Sequence, residues 1–202
     1  MKKETAPETS GLTIRYARAY DLMLTAMTFG LEKSFRKTFL DLVSLKTGES
    51  VLDVGCGTGT LAIAAKNLVD ETGSVSGIDA APEMVERARK KAERDGAKID
   101  FQTAVAEKLP YPDGHFDVVL NTLIMHHLPA DIRGSALEEM RRVLKPSGRM
   151  LSVDFQLPRF FQKENAHGGW IRNAIEKAGF NVTESGRTRF MILAYVLSTP
   201  GK

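Results

Sequence analysis

The sequence predicts a single α/β domain built on a mostly parallel sheet, and three observations lead there. Its 202 residues suffice for one well-filled core and are too few for two full domains. From residue 50 onward, short apolar runs of β type alternate with amphipathic stretches, the pattern of parallel strands joined by crossover helices. The first of these runs, Val51-Leu-Asp-Val, passes directly into a glycine-dense turn, Gly55-Cys-Gly57-Thr-Gly59, which opens a helix.

Taken in order, Met1 to Ser10 is a polar tail with no apolar stretch behind it to make a signal peptide, so a cytoplasmic protein is expected. Leu12 to Phe29 carries Tyr16, Tyr20, Leu22, Met23, Leu24 and Met27 and is expected to be helical until Gly30 breaks it. A second helix is expected from Leu31 to about Leu45, where Phe35, Phe39, Leu42 and Val43 form one stripe. Lys46 to Glu49 is a loop. Strands are predicted at Ser50 to Val54 and Ser74 to Ile78, with a helix from about Gly59 to Leu68 between them. The next helix opens at Pro82, whose missing N–H costs nothing at a first helical position. It turns Met84, Val85, Ala88 and Ala92 inward and Glu86, Arg87, Arg89, Lys90 and Lys91 toward water. Lys98 to Thr103 and Phe116 to Asn121 are further strands, and Leu137, Met140, Val143 and Leu144 mark a helix from about Ala130 to Leu144. Lys145-Pro-Ser-Gly148 is expected to be a tight turn into a strand from Arg149 to Phe155. Pro158 to Asn165 is a loop, Trp170 to Ala178 a helix stopped by Gly179, and Phe180 to Glu184 and Arg189 to Leu197 are runs separated by Ser185-Gly186-Arg187. These last two are predicted to pair as an antiparallel hairpin at the sheet edge.

Composition narrows the function. With 43% hydrophobic and 26% charged residues, the chain is an ordinary globular protein, which excludes disordered, collagen-like and coiled-coil architectures. The longest apolar run, Phe190 to Leu197, falls far short of the ~18 residues of a membrane span. Cys56 is the only cysteine, so neither an internal disulfide nor a cysteine-based zinc site can form. A net charge of +3, with bases interspersed among nearly as many acids, makes a weak case for a polyanionic partner, and no nucleic acid is expected.

Ligand chemistry concentrates at strand ends. The glycine turn lets a ligand approach backbone, although helix–strand turns also use glycine for steric reasons alone. Its spacing is Gly-x-Gly-x-Gly, and Asp53, two residues before the first glycine, would repel a pyrophosphate and welcome a cation. Asp79, 24 residues after Gly55, stands where a carboxylate can accept from both hydroxyls of an adenosine ribose; a helix N-terminal acid is the plainer alternative. In the segment from Ala104 to Asp117, backbone and apolar side chains are placed to sandwich a purine against Met84, while Pro110 and Pro112 would equally serve to stiffen a loop.

The segments VLDVGCGTG, GIDAAPEMVERARKKA, LPYPDGHFD, LIMHHL and EEMRRVLKPSGRML, in that order and spacing, resemble the class I S-adenosylmethionine-dependent methyltransferases, and within them the ubiquinone/menaquinone-biosynthesis-like, type 11 branch. The resemblance covers roughly Tyr16 to Leu197. It implies a Rossmann-like seven-stranded sheet with an antiparallel last strand and helices on both faces, a flexible tail at 1–11, an N-terminal helical cap at 12–45 and a methyltransferase domain at 46–200. It assigns Gly55, Gly57 and Gly59 to the methionine and ribose end of S-adenosylmethionine and Asp79 to the ribose hydroxyls, flanked by Ala80 and Met84. The Val105-Ala106 backbone falls at the adenine edge, Asp53 near the ammonium group, Asn121 beside the methionine moiety, and Tyr20 in the covering cap. Two departures stand out. Val105 replaces the Asp that many relatives use for the adenine amino group, and Ala81 forgoes a helix-capping bond of about 1 kcal/mol.

Methyl transfer from a sulfonium needs proximity, alignment and exclusion of water rather than a covalent nucleophile. Accordingly there is no Gly-x-Ser-x-Gly elbow and no His-Glu-x-x-His helix. A base for the acceptor is sought among His126, His127, His167, Glu107 and Asp154. Adjacent residues diverge, so at most one of His126 and His127 should face the pocket, and as metal ligands they are poorly spaced; loop histidines bonded to backbone are the plainer alternative. Tyr16, Tyr20 and the apolar stretch Leu22 to Phe29 suit a small hydrophobic acceptor such as a quinol, lipid or natural product, with transient membrane-surface contact. Core packing explains the same residues. A nicotinamide-dependent oxidoreductase is the enzyme alternative, set back by the glycine spacing and by the lack of a Tyr-x-x-x-Lys pair; a non-catalytic S-adenosylmethionine-binding protein is the other.

Overall fold

The computed structural model describes residues 7, 9, 11, 32–155, 169–189 and 192–201. The expected helix at 12–29 with Tyr16 and Tyr20, the loop at 158–165 and His167 lie outside the described residues. Strands β1 (Ser50–Val54), β2 (Ser74–Asp79), β3 (Asp100–Thr103), β4 (Phe116–Thr122), β5 (Leu144–Phe155), β6 (Phe180–Arg187) and β7 (Leu193–Pro200) form one sheet in the order β3-β2-β1-β4-β5-β7-β6. The first five pair in parallel, and β7 runs antiparallel to both β5 and β6, so the last strand is the reversed one.

Why both faces are covered follows from the strands themselves. In β1, Val51, Leu52 and Val54 are all fully buried although successive side chains point to opposite faces, so apolar matter must lie on each side. Leu52, Val54 and Val119 pack with Leu137, Met140 and Val143 of α4 (Ala130–Val143) and Ile171 and Ile175 of α5 (Gly169–Lys177). Val51, Val118 and Leu120 pack on the other side with Phe39 of α1 (Glu32–Val43), Ala62 and Ala65 of α2 (Thr60–Val69), and Val85, Ala88 and Ala92 of α3 (Pro82–Arg94). Pro82 opens α3 as expected, and no side chain caps it at Ala81. Among the described residues, no helix is long and apolar enough to cross a membrane.

Two turns predicted from sequence lie instead within strands. α4 gives way directly to β5 at Leu144, which pairs with Phe116, while Arg149 already pairs with Val118; Lys145 to Gly148 are accommodated between those pairs. Lys145 Nζ lies 2.8 and 2.9 Å from the two carboxylate oxygens of Asp117, and a Cβ on Gly148 would come within 3.0 Å of the Asp117 carbonyl oxygen, so this glycine answers to a close approach. Likewise Ser185, Gly186 and Arg187 lie within β6, opposite Val196, Tyr195 and Ala194. Gly186 makes room for the Tyr195 ring, 3.0 Å from where a Cβ would stand, and β6 continues to Arg187 before the antiparallel β7 begins at Leu193.

The end of α1 is tied to the sheet by Arg149, whose guanidinium donates to the carbonyls of Val43 (2.7 Å) and Ser44 (2.8 Å) and to the Glu49 carboxylate (2.7 and 2.9 Å). Carbonyls at a helix C-terminus have no intrahelical donor, and Arg149 supplies one. Arg149→Met is therefore expected to destabilise the protein by about 1–3 kcal/mol, the range for charge-assisted hydrogen bonds in a half-buried setting. Urea unfolding of the two proteins checks this, and equal midpoints would remove the tie.

Candidate active site

A cleft of about 710 Å³, counted with its open mouth, lies beyond the carboxyl ends of the central strands. From β1 the chain winds outward through β2 to β3 and then returns to β4 on the other side of β1, so this is the point where strand order reverses and open α/β sheets bind ligands.

Four walls meet there. The first is the glycine turn after β1, held by N–H donation from Gly55 and Cys56 to the Ile78 carbonyl (2.9 and 2.8 Å). Gly55 and Gly57 line the cleft with φ of 73° and 53°, and a Cβ on Gly55 would stand 2.6 Å from Ile124 Cδ1. Gly59 has a packing role instead, because a Cβ there would meet Ala88 Cβ at 2.7 Å and Phe101 Cζ at 2.8 Å.

The second wall is the end of β2. Asp79 Oδ2 accepts from the Gly57 N–H and Oδ1 from the Ala81 N–H, both at 2.9 Å, so one carboxylate braces the glycine turn and the entry to α3. Burial pushes this carboxyl up and the two N–H groups pull it back; the balance stays above the usual range. Ala80 and Met84 complete the wall.

The third wall is the segment after β3, where Ala104, Val105, Ala106 and Glu107 face the cleft. It is fixed from α4. Glu139 accepts from the Leu109 N–H at 2.8 Å, and Arg142 donates to the carbonyls of Leu109 (3.1 Å) and Tyr111 (2.8 Å) and to Asp113 (2.7 Å). Glu107 Oε1 in turn accepts from the Thr9 hydroxyl at 2.7 Å, and Thr9 and Gly11 line the cleft beside it. Nothing in the sequence signals that contact, which joins residues 98 apart.

Asp53 is placed behind the first wall and is only 1% exposed. Its Oδ2 is buried without a hydrogen-bond partner, and burial together with the neighbouring Asp79 charge pushes its carboxyl up to about 7. Burial, and then Asp53 and Asp79, push the Cys56 thiol well up, which makes it inert. Asn121 does not face the cleft. The alternation of β4 turns it to the α4 side, where it is fully buried, 3.2 Å from Ser152 Oγ and 3.5 Å from Met140 Sδ, and Thr122, Leu123 and Ile124 provide the wall expected of it.

Leu123 carries a φ of +58°, an uncommon conformation for a bulky side chain, held by donation of its N–H to the Val153 carbonyl at 2.8 Å. The chain then enters a 3₁₀ turn, Met125–His127, on which the two imidazoles lie against each other, 3.9 Å between ring centroids, rather than diverging as the sequence predicts. His127 lines the cleft, and burial, followed by the neighbouring His126, pushes its imidazole below the usual range. His126 Nδ1 lies 2.7 Å from Asp154 Oδ1. The other two expected site residues, Tyr20 and His167, lie outside the described residues.

A reversed last strand and a glycine-lined cleft with an acidic residue at the second strand end define an S-adenosylmethionine-dependent methyltransferase. A solved SAM-dependent methyltransferase from Aquifex aeolicus aligns with a TM-score of 0.71 at 26% identity, over 81% of this chain and 88% of that one. A protein from Pyrococcus horikoshii shares the fold with a TM-score of 0.66 at 19% identity, over 88% and 91%. The profile of the ubiE/COQ5 methyltransferase family matches residues 9–193, and the chain belongs to that family. The ubiquinone/menaquinone biosynthesis C-methyltransferase of Erwinia tasmaniensis is 31% identical over 193 residues, 94% of this chain and 76% of the relative. That of Edwardsiella ictaluri is 31% identical over 172 residues, 84% and 68%. The protein is thus a methyltransferase, and the oxidoreductase and non-catalytic alternatives give way.

Proposed function

We propose that the protein methylates a small hydrophobic acceptor of the quinol class, and that the cleft holds S-adenosylmethionine. The acceptor class rests on the relatives, which are named for C-methylation in quinone biosynthesis. For the cofactor, the observation that carries the reading is the buried, unpartnered Asp53 Oδ2 behind a glycine turn: an acidic floor beneath exposed backbone suits a ligand that is cationic at one end. Gly55 and Gly57 would meet the methionine and ribose end, Asp79 the ribose hydroxyls, Ala80 and Met84 one face of the base, and Val105 and Ala106 its edge. Gly59 would keep the turn close to α3. The cap at 12–45, with Tyr20, would cover the site above a methyltransferase domain at 46–200, with 1–11 as a tail; of that tail, Thr9 and Gly11 already touch the cleft. His126, His127 and His167 are the candidate bases. When bound, S-adenosylmethionine supplies a methyl group on a positively charged sulfur. The chain's residues align the acceptor, exclude water and take up its proton. A cytoplasmic setting, with transient contact to a membrane surface where quinols reside, fits this role.

Incubation with labelled S-adenosylmethionine and a cell extract, followed by extraction, tests the acceptor. Label in the quinone fraction is expected, and label confined to polar metabolites would overturn the acceptor class.

The Asp53 carboxyl yields a pH prediction. In the free protein it is protonated below about 7, whereas an ordinary aspartate ionises near 3.8, so its contribution to folding stability is complete at low pH and lost as pH rises from about 4 through 7. A bound cation favours the ionised form. Affinity for S-adenosylmethionine should therefore climb with pH, by at most roughly tenfold per unit, and level off above about 7, with proton release on binding below it. Calorimetry in buffers of different ionisation enthalpy measures both, and Asp53→Asn should flatten the profile; a wild-type affinity independent of pH would exclude Asp53 from the cation's surroundings.

A further inference from the structure

We propose that His126 is the general base of the reaction and that Asp154 is its positioning residue, keeping Nδ1 protonated so that Nε2 is free to take a proton from the acceptor. The inference rests on an acceptor bearing an acidic hydroxyl, as a quinol does.

Asp154 sits at the carboxyl end of β5 and is fully buried. Its Oδ1 accepts from His126 Nδ1 at 2.7 Å and from the Phe155 N–H at 2.6 Å, and its Oδ2 accepts from the His126 backbone N–H at 3.1 Å. A carboxylate only accepts, so the proton of a neutral His126 must reside on Nδ1. Gripping both the ring and the backbone of one residue fixes the imidazole's rotation as well as its tautomer, the arrangement that makes a histidine a directed base. Nε2 has no hydrogen-bond partner among the described residues, and the His126 side chain is 29% exposed. Beside it stand His127, whose ring centroid is 3.9 Å away and which lines the cleft, and the exposed Phe155, whose ring meets the imidazole edge-on at 4.9 Å. A proton acceptor set between a cleft-lining residue and an exposed aromatic ring suits a hydrophobic molecule with one ionisable hydroxyl.

The surrounding backbone holds this geometry. The left-handed Leu123 turns the chain into the 3₁₀ helix, and Arg133 Nε of α4 donates to the carbonyls of Met125 (3.0 Å) and Leu128 (2.8 Å) on either side of the histidines. Of the described titratable and charged groups, Asp154 and His127 face His126; Arg133 is engaged with those carbonyls. His127, pushed below the usual range by burial and then by His126, belongs to the cleft wall.

In the step proposed, the acceptor's O–H bond breaks and its proton goes to Nε2, leaving an oxyanion whose electron pair is shared with a ring carbon. That carbon forms the new bond to the methyl group as the methyl–sulfur bond breaks and its pair stays on sulfur. The ring carbon's hydrogen is lost to water as a proton, and the imidazolium returns its own to the oxygen.

The test uses the full chain saturated with S-adenosylhomocysteine and long-range proton–nitrogen NMR of His126. Expected are protonated Nδ1 and bare Nε2 in the wild type and a shift toward protonated Nε2 in Asp154→Asn. With a short-chain 2-prenyl-1,4-naphthoquinol as acceptor, Asp154→Asn should lower kcat by about 10²- to 10⁴-fold with little change in KM. His126→Asn keeps an N–H directed at Asp154 and so preserves the fold if Asp154→Asn does not; it should lose the low-pH limb of the kcat profile. Protonated Nε2 in the wild type, or an unchanged kcat profile in His126→Asn, would overturn the inference alone. A wild type that binds S-adenosylhomocysteine but does not turn over the naphthoquinol would overturn the acceptor on which it rests.

Discussion

Asp79→Ala is expected to weaken S-adenosylhomocysteine binding by about 3 kcal/mol, on the order of a hundredfold. The size follows from the double task of this carboxylate. It is the group assigned to the ribose hydroxyls, and it also receives the N–H groups of Gly57 and Ala81. Alanine removes the ligand contact and leaves two backbone donors without their acceptor, so the glycine turn loses its brace at the moment it loses its partner. Asp79→Asn, which keeps one acceptor oxygen, should fall between the two. Titration calorimetry decides the matter, with thermal melting as the control for folding; wild-type affinity in the alanine variant would refute the ribose assignment.

The second large effect is on stability. Gly59→Val places a branched side chain where φ is +75° and where its first carbon would already stand 2.7 Å from Ala88 Cβ, 2.8 Å from Phe101 Cζ and 3.2 Å from Ala88 Cα. Neither α3 nor β3 can retreat without opening the core on that face, so a loss of about 3 kcal/mol or more is expected, roughly 6–12 °C in melting temperature for a chain of this size. Gly96 separates the two causes. Its φ is similar, +68°, yet a Cβ there has nothing within 4 Å, so Gly96→Val should cost only the conformational strain of about 1–2 kcal/mol. Equal melting temperatures for the two variants would show that contact with α3 is immaterial at position 59.

Period and punctuation made the scaffold legible. Strands at Ser50, Ser74 and Phe116 begin where alternation and turn residues put them, and Met84, Val85, Ala88 and Ala92 are the buried stripe of α3. Glycine misled where it answered to a neighbour rather than to a turn. Gly148 and Gly186 lie inside strands because the Asp117 carbonyl and the Tyr195 ring press on them, and such a contact leaves no mark on the local sequence. The cleft divides the same way. The glycine turn and Asp79 are local motifs, readable where the chain reads strand, turn, helix. Asn121 was misplaced by a single step of the strand period: Thr122 points out at the cleft and Asn121 in at Met140, and the sequence does not say which residue is last in the strand. The Thr9–Glu107 and His126–Asp154 contacts join residues 98 and 28 positions apart, and only the assembled sheet brings them together.

The opposite sides of the cleft hang from one girder. Near its start, α4 grips the histidine turn through Arg133; near its end, it grips the segment after β3 through Glu139 and Arg142. The two jaws therefore share one support: a substitution that displaced that rod would disturb both at once rather than either alone.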